Sequence, residues 1–137
     1  MKHEHRAFKV VAEKCIAQCD QCITLCEVYN GLCVDPKSVE NAQAFRTLVT
    51  ACQATIKACQ DCINECSQHL ETCKDEQCRD ECRDVIEKCN TCIKACGECV
   101  RYAGEDSQEC LEVTTQCIQA CDECIETCAR HAGIEET

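Results

Sequence analysis

CIAQCDQCITLC, residues Cys15 to Cys26, is the stretch on which the fold turns. Its cysteines stand 4, 3 and 4 residues apart. Those are the a and d intervals of a heptad, and they put every sulfur on one face of an α-helix. The same spacing returns as CIQACDECIETC, Cys117 to Cys128. It appears in shifted phase as CQDCINEC (Cys59 to Cys66) and CNTCIKACGEC (Cys89 to Cys99).

Four segments free of helix breakers carry these stripes. The spacing predicts helices over about Glu4–Asn30, Ser38–Cys73, Glu76–Ala103 and Gln108–Ala132. Gly31 with Asp35-Pro36, then Gly104 and Gly133, read as stops, and Ser38, Asp75 and Asp106 or Ser107 read as N-caps. The first segment holds Cys15, Cys19, Cys22 and Cys26, with Cys33 one heptad further on. The second holds Cys52, Cys59, Cys62, Cys66 and Cys73. The third holds Cys78, Cys82, Cys89, Cys92, Cys96 and Cys99, and the fourth Cys110, Cys117, Cys121, Cys124 and Cys128. Within each segment the gaps are only 3, 4 or 7. A face this regular normally forms a bundle core, and the short connection near Lys74 makes the second and third helices antiparallel neighbours. The expected fold is all-α: an antiparallel up-down four-helix bundle with a cysteine-lined core, one domain over 1–137.

The position after d is apolar again and again: Ile16, Ile23, Ile56, Ile63, Leu70, Ile86, Ile93, Leu111, Ile118 and Ile125. Each such residue contributes roughly 1.5–3 kcal/mol when buried. Aliphatic side chains are thus expected to hold helix to helix, leaving the axis to sulfur. Ala12, Thr55, Val85, Ala103 and Thr114 interrupt the sulfur ladder. There is no Trp, with only 2 Phe and 2 Tyr, so an aromatic core is not available.

The chain has 21 Cys in 137 residues, a density that means either a disulfide framework or metal binding. Disulfide scaffolds are short, loop-rich and secreted. This sequence has 4 Gly and 1 Pro and begins MKHEHRAFKVVAEK, which is not a secretory leader. A cytoplasmic location, where thiols stay reduced, is expected. Thiols three or four residues apart on a helix have Cβ atoms about 5–6 Å apart, too far for a disulfide but suited to a metal between two sulfurs. Plain packing accounts for a few buried Cys, not for nearly every a and d position, where Leu or Ile would pack better. The net charge of −11 argues against nucleic acid as a partner, and no apolar run approaches the ~20 residues of a membrane span.

Thiolate is a soft ligand for Cu(I), Zn(II) and iron–sulfur clusters. Structural zinc favours isolated tetrahedral sets, and iron–sulfur clusters want four cysteines each, often from a compact loop. A continuous tube of thiols suits many ions of low coordination number that share bridging sulfurs, which favours Cu(I). A zinc-sequestering, metallothionein-like protein shares every one of these features and stays open as the alternative. No single cysteine stands out as an activated nucleophile, so an enzyme is not expected.

From about residue 3 to 132 the sequence resembles the bacterial four-helix-bundle copper storage proteins, and its start is similar to their cytosolic branch. The resemblance implies storage of many Cu(I) ions per chain, with the striped cysteines as ligands. It implies a homotetramer. Copper chaperones or small thiols would be the exchange partners.

Up-down topology gathers all four histidines at one end. Counted from the cysteines, His5 extends an a phase, His69 and His131 occupy d, and His3 lies off the stripe. His5, His69 and His131 are candidate ligands at a mouth where copper enters. At the other end Tyr29, Phe45 and Leu48 extend the stripes above Cys33, Cys52 and Cys99, which predicts an apolar plug.

Overall fold

The computed structural model describes residues 6–32 and 39–134. Cys33, His3, His5 and the proposed cap Ser38 lie outside the described residues. Four helices account for nearly all of the rest: α1 (Arg6–Leu32), α2 (Val39–Thr72), α3 (Glu76–Tyr102) and α4 (Ser107–Ala132). At ~1.5 Å per residue they span roughly 39 to 51 Å. No helix among them is long and apolar enough to cross a membrane.

Each helix packs on the next, and α4 closes the ring on α1. The sulfur contacts give the directions. Cys15 meets Cys59 and Cys22 meets Cys52, so numbers fall on α2 as they rise on α1. Cys92–Cys121, Cys89–Cys124 and Cys96–Cys117 do the same for α3 and α4. The bundle is therefore antiparallel and up-down, as the sequence predicts.

Local chemistry sets the helix ends. Asp75 caps α3 by accepting from the Gln77 N–H at 3.0 Å, and Asp106 caps α4 through the Glu109 N–H at 2.8 Å. Of the two candidates for the last cap, Asp106 holds the position and Ser107 is the first helical residue. The Arg79 guanidinium reaches back to the carbonyls of Leu70 (2.6 Å) and Cys73 (2.8 Å), satisfying the otherwise open end of α2. Gly133 ends α4 in the left-handed region at φ 70°, with Ile134 N–H on Ala129 O and Gly133 N–H on Arg130 O, a Schellman closure.

The other two glycines read as stops, Gly31 and Gly104, do not adopt positive φ. Gly31 lies inside α1, which runs on to Leu32. A Cβ at Gly104 would come within 3.3 Å of the Phe45 ring, so glycine is needed for close approach and not for backbone reversal.

The expected division of labour between sulfur and aliphatic side chains holds with one exception. Every described cysteine is buried. Ile16, Ile23, Ile56, Ile63, Leu70, Ile86, Ile93, Ile118 and Ile125 are partly buried against that core. Leu111 is instead 46% exposed. It sits near the start of α4, toward the bundle's end. The interrupting residues Ala12, Thr55, Val85, Ala103 and Thr114 are fully enclosed. Thr55 donates to the Ala51 carbonyl at 2.8 Å and Thr114 to that of Cys110 at 2.7 Å, so neither buried hydroxyl is left unsatisfied.

Candidate metal centre

The heptad stripes of four helices converge on one axis, and sulfur meets sulfur along it. Cys22 lies 3.8 Å from Cys52 and 3.7 Å from Cys117, which is itself 3.7 Å from Cys96. One turn along, Cys92 and Cys121 are 3.6 Å apart. Further on, Cys124 is 3.9 Å from Cys15, 3.9 Å from Cys59, 3.7 Å from Cys89 and 4.0 Å from Cys128.

Three four-sulfur groups have all their Sγ atoms within 4.8 Å of one another: Cys15, Cys89, Cys124, Cys128; Cys15, Cys19, Cys59, Cys124; and Cys22, Cys52, Cys96, Cys117. Cys19, Cys92, Cys121 and Cys26, Cys99, Cys117 form three-sulfur groups on the same terms. Cys15, Cys19, Cys117 and Cys124 each belong to two of these groups, so neighbouring groups share sulfurs. A ladder of this kind can hold a row of soft cations joined by bridging thiolates.

Every described cysteine other than Cys110 carries a free thiol. Cys110 is disulfide-bonded, so the sequence reading of it as a ligand applies only after reduction. Its place beside the plugged end, away from the sulfur groups just described, separates it from the rest of the ladder.

The thiols share their protons unevenly. Cys124 is lowered to about 6, first because Cys128 donates S–H to its thiolate. Cys15 is also lowered, by hydrogen bonds led by that from Cys124, and Cys92 by one from Cys121. Their neighbours pay the opposite way: Cys89 and Cys96 are raised, led by their bonds to Cys124 and Cys117. At the histidine end burial leads, pushing Cys78 up to about 12 and raising Cys66 and Cys82. A thiolate in each group is thus stabilised by S–H donors, and the remaining thiols stay protonated until a cation displaces the proton.

The two ends of the ladder differ in chemistry. At one, Tyr29 and Leu48 are buried, and Tyr29 stacks on Phe45 with ring centroids 5.8 Å apart. Cys52 and Cys99 lie below them fully enclosed, so the expected apolar plug is present. Asn30 closes it on one side, donating to the Thr114 hydroxyl at 2.8 Å.

At the other end His69 Nε2 lies 3.1 Å from Cys78 Sγ, and His131 Nε2 lies 3.5 Å from Cys82 Sγ. Both rings border a cavity of about 90 Å³ together with Phe8, Glu65, Cys66 and Cys82. His131 is buried and stacks on Phe8, with centroids 4.8 Å apart, and burial lowers its pKa. Asp75, at the same end, is occupied as the cap of α3.

Two residues of this end escaped the sequence reading. Phe8 lies one heptad before Cys15, so the stripe itself carried the signal. Glu81, whose carboxylate meets His131 Nδ1 at 3.3 Å, is off the cysteine stripe and gave none.

A four-helix bundle whose interior is a shared ladder of thiols defines a class of metal-holding protein. The family model of the copper storage proteins matches residues 49–137. The chain belongs to that family, whose role is storage of copper. No curated protein and no solved structure matches the chain.

Proposed function

We propose that this chain stores many Cu(I) ions along the bundle axis, with the thiolates of its cysteines as ligands. The observation that carries this is the sharing of sulfurs between adjacent groups, seen at Cys15, Cys19, Cys117 and Cys124. Isolated tetrahedral sites would not share, whereas low-coordinate Cu(I) with bridging thiolates requires it. The ligand set is Cys15, Cys19, Cys22, Cys26, Cys52, Cys59, Cys62, Cys66, Cys73, Cys78, Cys82, Cys89, Cys92, Cys96, Cys99, Cys117, Cys121, Cys124 and Cys128. Cys33 and Cys110 join it on the sequence pattern alone.

The wider reading is of one metal-binding domain over 1–137, without catalytic activity, working in the cytoplasm as a homotetramer. It would exchange copper with chaperones or small thiols. Reduced thiols favour that compartment, and the family resemblance favours that assembly. Copper enters at the histidine end, because the opposite end is filled by Tyr29, Phe45 and Leu48.

The test is an anaerobic titration of the reduced, metal-free chain with Cu(I) against a competing chelator. Storage predicts a tightly held count close to the number of cysteines. A count of one to four, or Zn(II) held in preference at tetrahedral ratio, would overturn it in favour of a structural site or a zinc sink.

A further inference from the structure

The density of sulfur varies along the axis, and the register between helices shows where it thins. Cys15 meets Cys59 and Cys22 meets Cys52. Three residues further toward the open end, Ala12 of α1 therefore stands level with Cys62 of α2. The Cys62 thiol agrees with this, donating to the neighbouring Val11 carbonyl at 3.5 Å. Across the bundle, Cys82–His131 and Cys89–Cys124 bracket Val85 of α3 and Cys128 of α4 in the same way. Ala12, Cys62, Val85 and Cys128 form one layer, and all four are fully enclosed.

That layer lies between two regions of different make. Inward of it, Cys15, Cys59, Cys89 and Cys124 supply one sulfur from every helix. The layers beyond supply three and then four more, so this part of the axis is a chamber lined by thiols. Outward of it lies the cavity bordered by Cys66, Cys82 and the two histidines. In the layer itself two of the four helices present hydrocarbon in place of sulfur.

The placement of those two sulfurs is specific. α2 and α4 are diagonal in the ring of helices, as are α1 and α3. Cys62 and Cys128 thus oppose each other across the axis, and Ala12 and Val85 fill the remaining corners. Cys62 is a hydrogen-bonding neighbour of Cys128, which in turn shares a four-sulfur group with Cys15, Cys89 and Cys124. Two opposed thiolates complete the shell of a linear Cu(I) ion, a soft cation content with sulfur alone. They leave a tetrahedral ion such as Zn(II) short of two donors, and enclosed methyl groups admit no water to supply them.

We propose that this layer is a two-thiol neck that passes Cu(I) into the inner chamber and holds back tetrahedral divalent ions, with Ala12 and Val85 as the residues that set the selectivity. The inference rests on the storage reading and adds to it how the store tells one cation from another. Passage is ligand exchange. Copper stays Cu(I) throughout, and each thiol it reaches yields its proton to the thiolate it leaves, so no electron is transferred.

Two variants test this in opposite directions, with Cu(I) and Zn(II) each delivered anaerobically from a chelator to the reduced chain in a stopped-flow instrument. In the parent, Zn(II) should occupy the open end quickly and stop there, while Cu(I) continues to the full count. Ala12→Cys combined with Val85→Cys supplies the two missing donors with little net change in volume. In that double variant the quickly bound Zn(II) count should rise several-fold. Cys128→Ser, which is nearly isosteric, should leave the first Cu(I) ions unaffected and slow the remainder several-fold.

Quick filling of the parent by Zn(II) to the Cu(I) count would overturn the neck. So would an unchanged Zn(II) count in a double variant of parent helicity, or unchanged Cu(I) kinetics in Cys128→Ser. The equilibrium Cu(I) count of the parent judges storage separately. A count of one to four refutes storage and the neck together, whereas a full count with any of those three outcomes refutes the neck alone.

Discussion

The two ends of this bundle are made from the same heptad positions and do opposite things. At the plugged end the stripe continues with Tyr29, Phe45 and Leu48, and two of these side chains are almost fully enclosed. At the open end it continues with His69 and His131, which border a cavity of about 90 Å³ together with Cys66 and Cys82. Backbone geometry does not distinguish them. The difference lies in whether the terminal turn of each stripe carries carbon or a donor atom. An apolar end contributes stability and excludes water, while a polar end gives up some packing for access.

That contrast can be broken from either side. The largest effect on folding is expected at the plug. Leu48→Ala removes a fully buried side chain and should cost about 2–5 kcal/mol in urea unfolding of the metal-free chain. The Cu(I) count should be unchanged. If capacity falls with stability, the plug is part of the store and the two ends are not separable.

Replacing both His69 and His131 with Phe turns the open end into a second plug. Stopped-flow Cu(I) transfer from a chelator should slow several-fold, and final capacity should stay near the parent value. An unaltered rate would mean that copper does not pass the histidines.

Acidity should act along the whole ladder. Cys19, Cys89 and Cys96 are raised, led by hydrogen bonds to Cys121, Cys124 and Cys117, so these groups are protonated at neutral pH. Each thiol proton displaced by a cation makes apparent affinity fall about tenfold per unit drop in pH. Competition titrations at two pH values should give a slope close to one proton per copper. A pH-independent affinity would show that the thiols are already ionised.

The smallest effect is expected at Gly97, in the third helix. A Cβ there meets nothing within 4 Å. Gly97→Ala should stabilise the chain by about 0.5–1 kcal/mol without touching either end, which thermal unfolding would register.

The sequence made the helices and the sulfur axis legible because a period of 3.5 leaves little freedom once cysteines occupy it on four segments. Asp75, Asp106 and Gly133 were readable as helix ends for the same local reason. Gly104 was readable as the stop of the third helix, but not its need for space, which comes from Phe45, a residue far away in the chain. Leu111 was expected inside because its register is right, but register says nothing about whether a neighbouring turn reaches that height.

At the mouth, His69 and His131 followed from topology plus phase. Glu81 did not, because its role depends on a contact between α3 and α4 that no local pattern announces. The disulfide state of Cys110 was equally invisible, since its spacing is that of every other cysteine.

The buried interior holds thiols, a few threonines and one histidine, and among the described residues no Lys, Arg, Asp or Glu is buried. An empty thiol is neutral. When a monovalent cation takes the place of its proton, the pair is neutral again. Each cation that replaces a thiol proton therefore adds nothing to the chain's formal −11. A carboxylate-lined tube of the same size would carry bare, unscreened charge when empty and relax only when full. Here each cation that replaces a thiol proton adds no charge, so those steps of filling do not work against an accumulating field.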